Sequence, residues 1–218
     1  MGKTNETINV RIPVGEATLE GDLSVPPGAK GVILFAHGSG SGRFSPRNQH
    51  VAKVLNKAGL ATLLIDLLTK EEEEIDVSTG EFRFDIDLLS QRLMGATKWL
   101  RENPATKDLA FGYFGASTGA AAALIAAAQI PTEVKAVVSR GGRPDLALEY
   151  LQKVKAPTLL IVGGDDMTVL ELNMKAMQRL SAVKKLEIVP GASHLFEEPG
   201  KLEQVAKLSV GWFLRYMG

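Results

Sequence analysis

Leu109-Ala-Phe-Gly-Tyr-Phe-Gly-Ala-Ser-Thr-Gly-Ala-Ala-Ala-Ala-Leu124 decides how the rest of the chain is read. Its first half is short, apolar and partly aromatic, the pattern of a buried strand. Its second half is alanine-rich, as suits a helix packed closely on a sheet. Between them lies Gly115-Ala-Ser117-Thr-Gly119, a match to G-x-S-x-G. In a nucleophile elbow the serine sits on a sharp strand-to-helix turn with its hydroxyl above the sheet. A Cβ at position 115 or 119 would collide with a neighbouring strand or helix, which gives both glycines a steric reason. The bland alternative is a small-residue turn joining a strand to a helix.

Outward from this stretch, the chain alternates strand and helix patterns. Gly31–Ala36 is continuously apolar, as expected for a strand covered on both faces, and Leu60–Ile65, Val134–Ser139 and Thr158–Val162 are further, mostly apolar strands. Pro46–Ala58, Asp87–Glu102, Val169–Leu180 and Lys201–Tyr216 carry helical spacing, and Asp145–Val154 reads as a short helix. Glu6–Val14 and Ala17–Val25 alternate and form an antiparallel hairpin, while Lys185–Val189 is a final strand. Asp66–Phe84, with its run Glu71–Glu74, reads as a polar, solvated loop. This order predicts a three-layer α-β-α sandwich around a mostly parallel eight-stranded sheet with an N-terminal antiparallel hairpin. No repeat or linker interrupts residues 1–218, so one domain is expected.

Composition narrows the function. Twenty-five basic and 25 acidic residues leave no net charge, which disfavours nucleic-acid binding. The chain has no cysteine and three histidines, so thiolate chemistry and a histidine-rich metal site are set aside. No metal or other cofactor is expected. The polar N-terminus lacks a signal-like apolar stretch and no apolar run is long enough to span a membrane. A cytoplasmic protein without a membrane or nucleic-acid partner is expected, either monomer or homodimer.

Ligands of open α/β sheets sit at the carboxyl ends of the strands. The loops leaving those ends carry His37-Gly-Ser39, Ser117, Arg140–Asp145, Asp165-Asp166 and His194. Three of them give the chain order Ser…Asp…His, which is the order of α/β-hydrolases. A serine hydroxyl needs a base to become a nucleophile, and His194 can supply it. An acid must hold the imidazole in the right tautomer. Asp165 and Asp166 compete for that role; Asp166 is favoured because it lies further past the strand end, although either can cap the next helix. Oxyanion donors are expected from the backbone N–H of Thr118 and of Ser39, with Gly40 as runner-up. His37 is expected to brace its loop, and Arg47 likewise. Arg140 and Arg143 can reach a substrate carboxylate, but Arg143 can also pair with Asp145. The loop 37–42 has neither spacing of a phosphate cradle.

These motifs carry a resemblance. Ala36-His-Gly-Ser-Gly40, Gly112-Tyr-Phe-Gly-Ala-Ser-Thr-Gly119, Val162-Gly-Gly-Asp-Asp166 with Val169, and Pro190-Gly-Ala-Ser-His194 resemble the dienelactone hydrolase-like esterases of the α/β-hydrolase superfamily. The resemblance implies a triad of Ser117, Asp166 and His194, the second aspartate of the Gly-Gly-x-Asp pattern being the acid. Dienelactone hydrolases proper use a cysteine nucleophile. Serine here favours a generic carboxylesterase acting on a small-molecule ester through an acyl-enzyme. The short segment 139–157 leaves no room for a large lid, so an open site with Gly40 and Arg143 near the substrate is expected. Two other readings are a hydrolase-fold binding protein or receptor with little turnover, and a thioester or amide hydrolase.

Overall fold

The computed structural model describes residues 6–218; the polar opening Met1–Asn5 lies outside the described residues. Eight strands form one sheet: β1 (Thr7–Val14), β2 (Ala17–Ser24), β3 (Gly31–Ala36), β4 (Ala61–Ile65), β5 (Ala110–Ala116), β6 (Val134–Arg140), β7 (Thr158–Gly163) and β8 (Lys184–Val189). Their spatial order is β1-β2-β4-β3-β5-β6-β7-β8. The β1–β2 and β2–β4 pairs are antiparallel and all others are parallel. Gly15, with φ +59, makes the turn between the first two strands.

Helices cover both faces, as an all-parallel centre requires. Helices α1 (Pro46–Lys57) and α6 (Lys201–Met217) lie on one face, burying Val51, Leu55, Trp212 and Phe213 with Ile33, Phe35 and Phe114. Helices α3 (Ile86–Glu102), α4 (Thr118–Gln129) and α5 (Met167–Arg179) cover the other, where Leu89, Leu93, Leu124 and Ala176 meet Val32, Leu34 and Val137. The alanines of α4 are buried almost throughout. Their small side chains let the helix sit close to the sheet, which fixes its N-terminus against the end of β5.

Two segments differ from the sequence reading. Within 66–84 the chain forms α2 (Lys70–Thr79) rather than a loop. Thr69 and Glu72 close a capping box, with Thr69 Oγ1 accepting from Glu72 N at 3.2 Å and Glu72 Oε2 accepting from Thr69 N at 2.8 Å. Three glutamates in the first turn suit the positive end of the helix dipole. Glu72 also binds Arg92 at 2.5 Å. The segment 145–154 forms two short 3-10 turns, Pro144–Ala147 and Leu151–Lys153, instead of an α-helix. The remaining elements fall within a few residues of their expected bounds. Among the described residues, no helix is long and apolar enough to cross a membrane.

Candidate active site

The carboxyl ends of β3, β5, β6, β7 and β8 open on one edge of the sheet, and the chemistry-bearing loops converge there. Ser117 has φ 51 and ψ −122, a left-handed conformation that a non-glycine residue adopts at a cost of about 1–3 kcal/mol. It occupies the N-cap position of α4 yet makes no capping hydrogen bond with its side chain. The hydroxyl is therefore not consumed by its own helix. The flanking glycines permit the turn. A Cβ at Gly115 would meet Ala120 of α4, and one at Gly119 would meet the Ala36 and His37 carbonyls, both inside 3.0 Å.

His194 follows β8, and its Nδ1 donates to Asp166 Oδ2 at 2.6 Å. With the proton on Nδ1, Nε2 is left as an acceptor. The other carboxylate oxygen of Asp166, Oδ1, accepts from Val169 N at 3.4 Å and caps α5. Asp165 is exposed and holds the His194 loop only through its backbone, whose N–H donates to Ala192 O at 3.0 Å. Arg140 and Gly141 join the serine and histidine. Ser117 N donates to Arg140 O at 3.2 Å. A Cβ at Gly141 would lie 3.4 Å from His194 Nδ1 and Cε1, so the ring packs directly against that glycine.

The loop after β3 lies over the elbow; a Cβ at Gly38 would be 3.0 Å from Ser117 Cβ. Ser39 N donates to Thr118 Oγ1 at 3.0 Å. The Ser39 N–H expected to face an oxyanion is thus engaged by the Thr118 side chain. Gly40, with φ +67, is exposed at the loop tip. It borders two cavities, one of about 1360 Å³ and one of about 240 Å³. Neither cavity is lined by Ser117 or His194. Both begin beside the elbow, at Ser39, Gly40 and Ser41.

His37 braces the loop. Leu67 N donates to its Nε2 at 3.0 Å, which puts the ring proton on Nδ1, 2.9 Å from Gly38 O. Burial lowers its pKa, against the opposing pulls of Gly38 O, Asp66 and Glu73. In the unfolded chain the ring titrates near its ordinary value. As pH falls below about 6.5 the unfolded state then binds a proton that the folded state refuses, and stability drops. Urea midpoints of the chain should fall between pH 7.5 and pH 5.5, and His37→Gln should flatten that slope. An unchanged slope in the variant would show that other groups carry it.

The arginines divide clearly. Arg43, not Arg47, ties down the glycine loop: it pairs with Glu20 at 2.7 Å and with Asp66. Arg47 reaches instead to Glu197 in the His194 loop at 2.7 Å. Arg143 donates to both carboxylate oxygens of Asp145 at 2.8 and 2.7 Å, which raises its pKa. Its fork is occupied, so the carboxylate-binding expectation for Arg143 has little free guanidinium to rest on. Arg140 is buried with no hydrogen-bond partner for Nε or Nη1. Burial, with the nearby charge of Arg47, pushes its pKa down to about 10. Strand alternation sets it on the face of Ala136 and Val138, under α1 and α6. A buried charge without a counter-ion is costly. Arg140→Met is therefore expected to stabilise the chain by roughly 1–3 kcal/mol, read as a higher urea midpoint and melting temperature. A drop in both would mean the guanidinium is better compensated than its neighbours suggest.

Residues 19–210 match the dienelactone hydrolase family. The chain belongs to that family. A dienelactone hydrolase from Anabaena variabilis, solved as a crystal structure, is 60% identical, with a TM-score of 0.98 over 99% of this chain and 100% of that one. Two curated Mycobacterium tuberculosis relatives, provisionally named phosphoribosyl transferases, are 55% identical over 208 residues. Those residues are 95% of this chain and 46% of theirs, so it spans about half the length of the curated relatives it matches. A Xanthomonas campestris protein described as an α/β serine hydrolase without a lid shares the fold, at TM-score 0.76 and 20% identity over 100% of this chain and 98% of that one. In this chain only two short 3-10 turns lie between β6 and β7, and a serine stands at the turn from β5 into α4.

Proposed function

We propose that this chain is a serine hydrolase that cleaves small carboxylic esters. Ser117 is the nucleophile, His194 the general base and Asp166 its orienting acid. The observation that carries the reading is the 2.6 Å bond from His194 Nδ1 to Asp166 Oδ2 at the sheet edge that also holds Ser117. It leaves Nε2 free to take the serine proton. Ser117 Oγ then adds to the ester carbonyl, the protonated imidazole gives its proton to the departing alcohol, and an acyl-enzyme results. Water, deprotonated by the same histidine, releases the acid. The exposed Ser39–Gly40 loop and the lack of a lid support small, short-chain esters.

The test has two readouts. Purified chain should hydrolyse p-nitrophenyl esters, with rates falling as the acyl chain lengthens from acetate to octanoate. A fluorophosphonate should label it stoichiometrically, with the adduct mapped to Ser117. Labelling without turnover would favour a binding protein that keeps a hydrolase pocket. Faster turnover of the matching thioester would move the reaction class to thioester hydrolysis. The phosphoribosyl transferase name belongs to proteins about twice this length. For this chain it is the weaker reading, because residues 19–210, nearly the whole chain, match a hydrolase family.

A further inference from the structure

The bond between Ser39 N and Thr118 Oγ1 joins positions 79 residues apart at 3.0 Å. A hydroxyl has one proton and two lone pairs. Thr118 Oγ1 spends one lone pair on the Ser39 N–H, and the accepted bond leaves its own proton uncommitted. Thr118 is 4% exposed, so bulk water does not compete freely for that proton. The residue also opens α4, where the first backbone N–H groups have no intrahelical acceptor. No side-chain cap and no acidic residue occupies that first turn. One residue thus brings two donors, a backbone N–H and a buried hydroxyl, next to Ser117.

The geometry points to Thr118 as a double donor to the oxyanion, through its backbone N–H and its Oγ1–H. Ser39 is then a positioning residue. Its N–H holds the hydroxyl in place and polarises it, because a hydroxyl that accepts a hydrogen bond donates a stronger one. This rests on the serine-esterase reading. As the Ser117 Oγ–carbon bond forms, the carbonyl π pair moves to oxygen and the serine proton passes to His194 Nε2. The new negative charge is met by both Thr118 donors. When the tetrahedral species collapses, the pair returns to re-form the carbonyl, the carbon–oxygen bond to the alcohol breaks, and the alcohol leaves with the proton from His194. A hydroxyl donor of this kind matters only once charge has developed, so its loss should fall on kcat rather than KM.

The experiment compares wild type, Thr118→Val and Thr118→Ser on p-nitrophenyl acetate, with an arylboronic acid as a tetrahedral probe. Valine keeps the shape and removes the hydroxyl; serine keeps the hydroxyl and removes the methyl. Thr118→Val should lose about 10²–10³-fold in kcat with KM little changed, and should bind the boronic acid correspondingly more weakly. Thr118→Ser should keep most of both. Valine at wild-type or higher kcat would overturn the inference, since freeing the Ser39 N–H would then suffice. Equal losses in valine and serine would also overturn it, because packing and not the hydroxyl would be responsible. Melting curves of both variants check the fold, and Thr118→Ala serves if valine does not fold. If wild type neither turns over ester nor takes the fluorophosphonate label, the esterase reading itself fails. If wild type does both and valine matches it, only the Thr118 assignment falls.

Discussion

Ser117→Ala is expected to lower p-nitrophenyl acetate turnover by about a million-fold, the scale seen when a serine nucleophile is removed from a triad. The fold should survive. The Ser117 hydroxyl caps nothing, and alanine at φ 51 is strained no more than serine is. The change removes one half-buried hydroxyl that caps nothing, so its stability cost should stay within about 1 kcal/mol. A companion variant separates chemistry from backbone. Ser117→Gly should be equally inactive but more stable, by about 1 kcal/mol, because glycine adopts the left-handed region freely. The pair together would show that the chain holds strain at this residue for a hydroxyl it does not need structurally. Undiminished turnover in Ser117→Ala would remove the nucleophile assignment. A Ser117→Gly variant less stable than wild type would remove the strain account.

How much of this was legible in the sequence depends on what each feature rests on. The parallel strands were readable because β3 and β7 are buried on both faces and show as unbroken apolar runs. Helix α2 was not, because it has almost no apolar face: its one buried residue is Asp76. It is held by its capping box and by ion pairs to Arg92 and Arg83. The Thr69-x-x-Glu72 signature was present and would have found it, but the four consecutive glutamates pointed to a solvated loop. Within the candidate site, the position of Ser117, Asp166 and His194 after the ends of β5, β7 and β8 was readable, because each follows a strand-like run in the sequence. The engagement of Ser39 N by Thr118 was not, since it depends on a rotamer at the start of α4 meeting the loop after β3. Nor was the isolation of Arg140, which is a property of its neighbours in space. Arg47 finds its partner at Glu197, a pairing across 150 residues that no local pattern signals.

Asp166→Asn is the second large effect, and the double role of Asp166 determines how it should act. The carboxylate offers two acceptor oxygens, one to His194 Nδ1 at 2.6 Å and one to Val169 N at 3.4 Å. An amide has only one oxygen. If it stays on the Val169 N–H, it remains a good helix cap, since asparagine caps as well as aspartate. The amide N–H₂ then faces His194 and requires Nδ1 to accept, which moves the ring proton to Nε2. In that tautomer Nε2 has no lone pair for the Ser117 proton. If the amide turns the other way, the histidine is oriented correctly but α5 loses its cap, at about 1 kcal/mol. Either way the negative charge that steadies the imidazolium is gone. The expected result is a kcat loss of roughly 10⁴-fold with a stability change of at most about 1 kcal/mol. Asp165→Asn, an exposed residue that acts through its backbone, should leave kcat within about twofold, in line with the small effects of surface changes. Steady-state rates and urea midpoints of the two variants decide the matter. A larger loss in Asp165→Asn would move the acid role to position 165. Equal, small losses in both would mean that His194 needs no acid to hold its tautomer, and the proposed chemistry would then have to run on the serine and histidine alone.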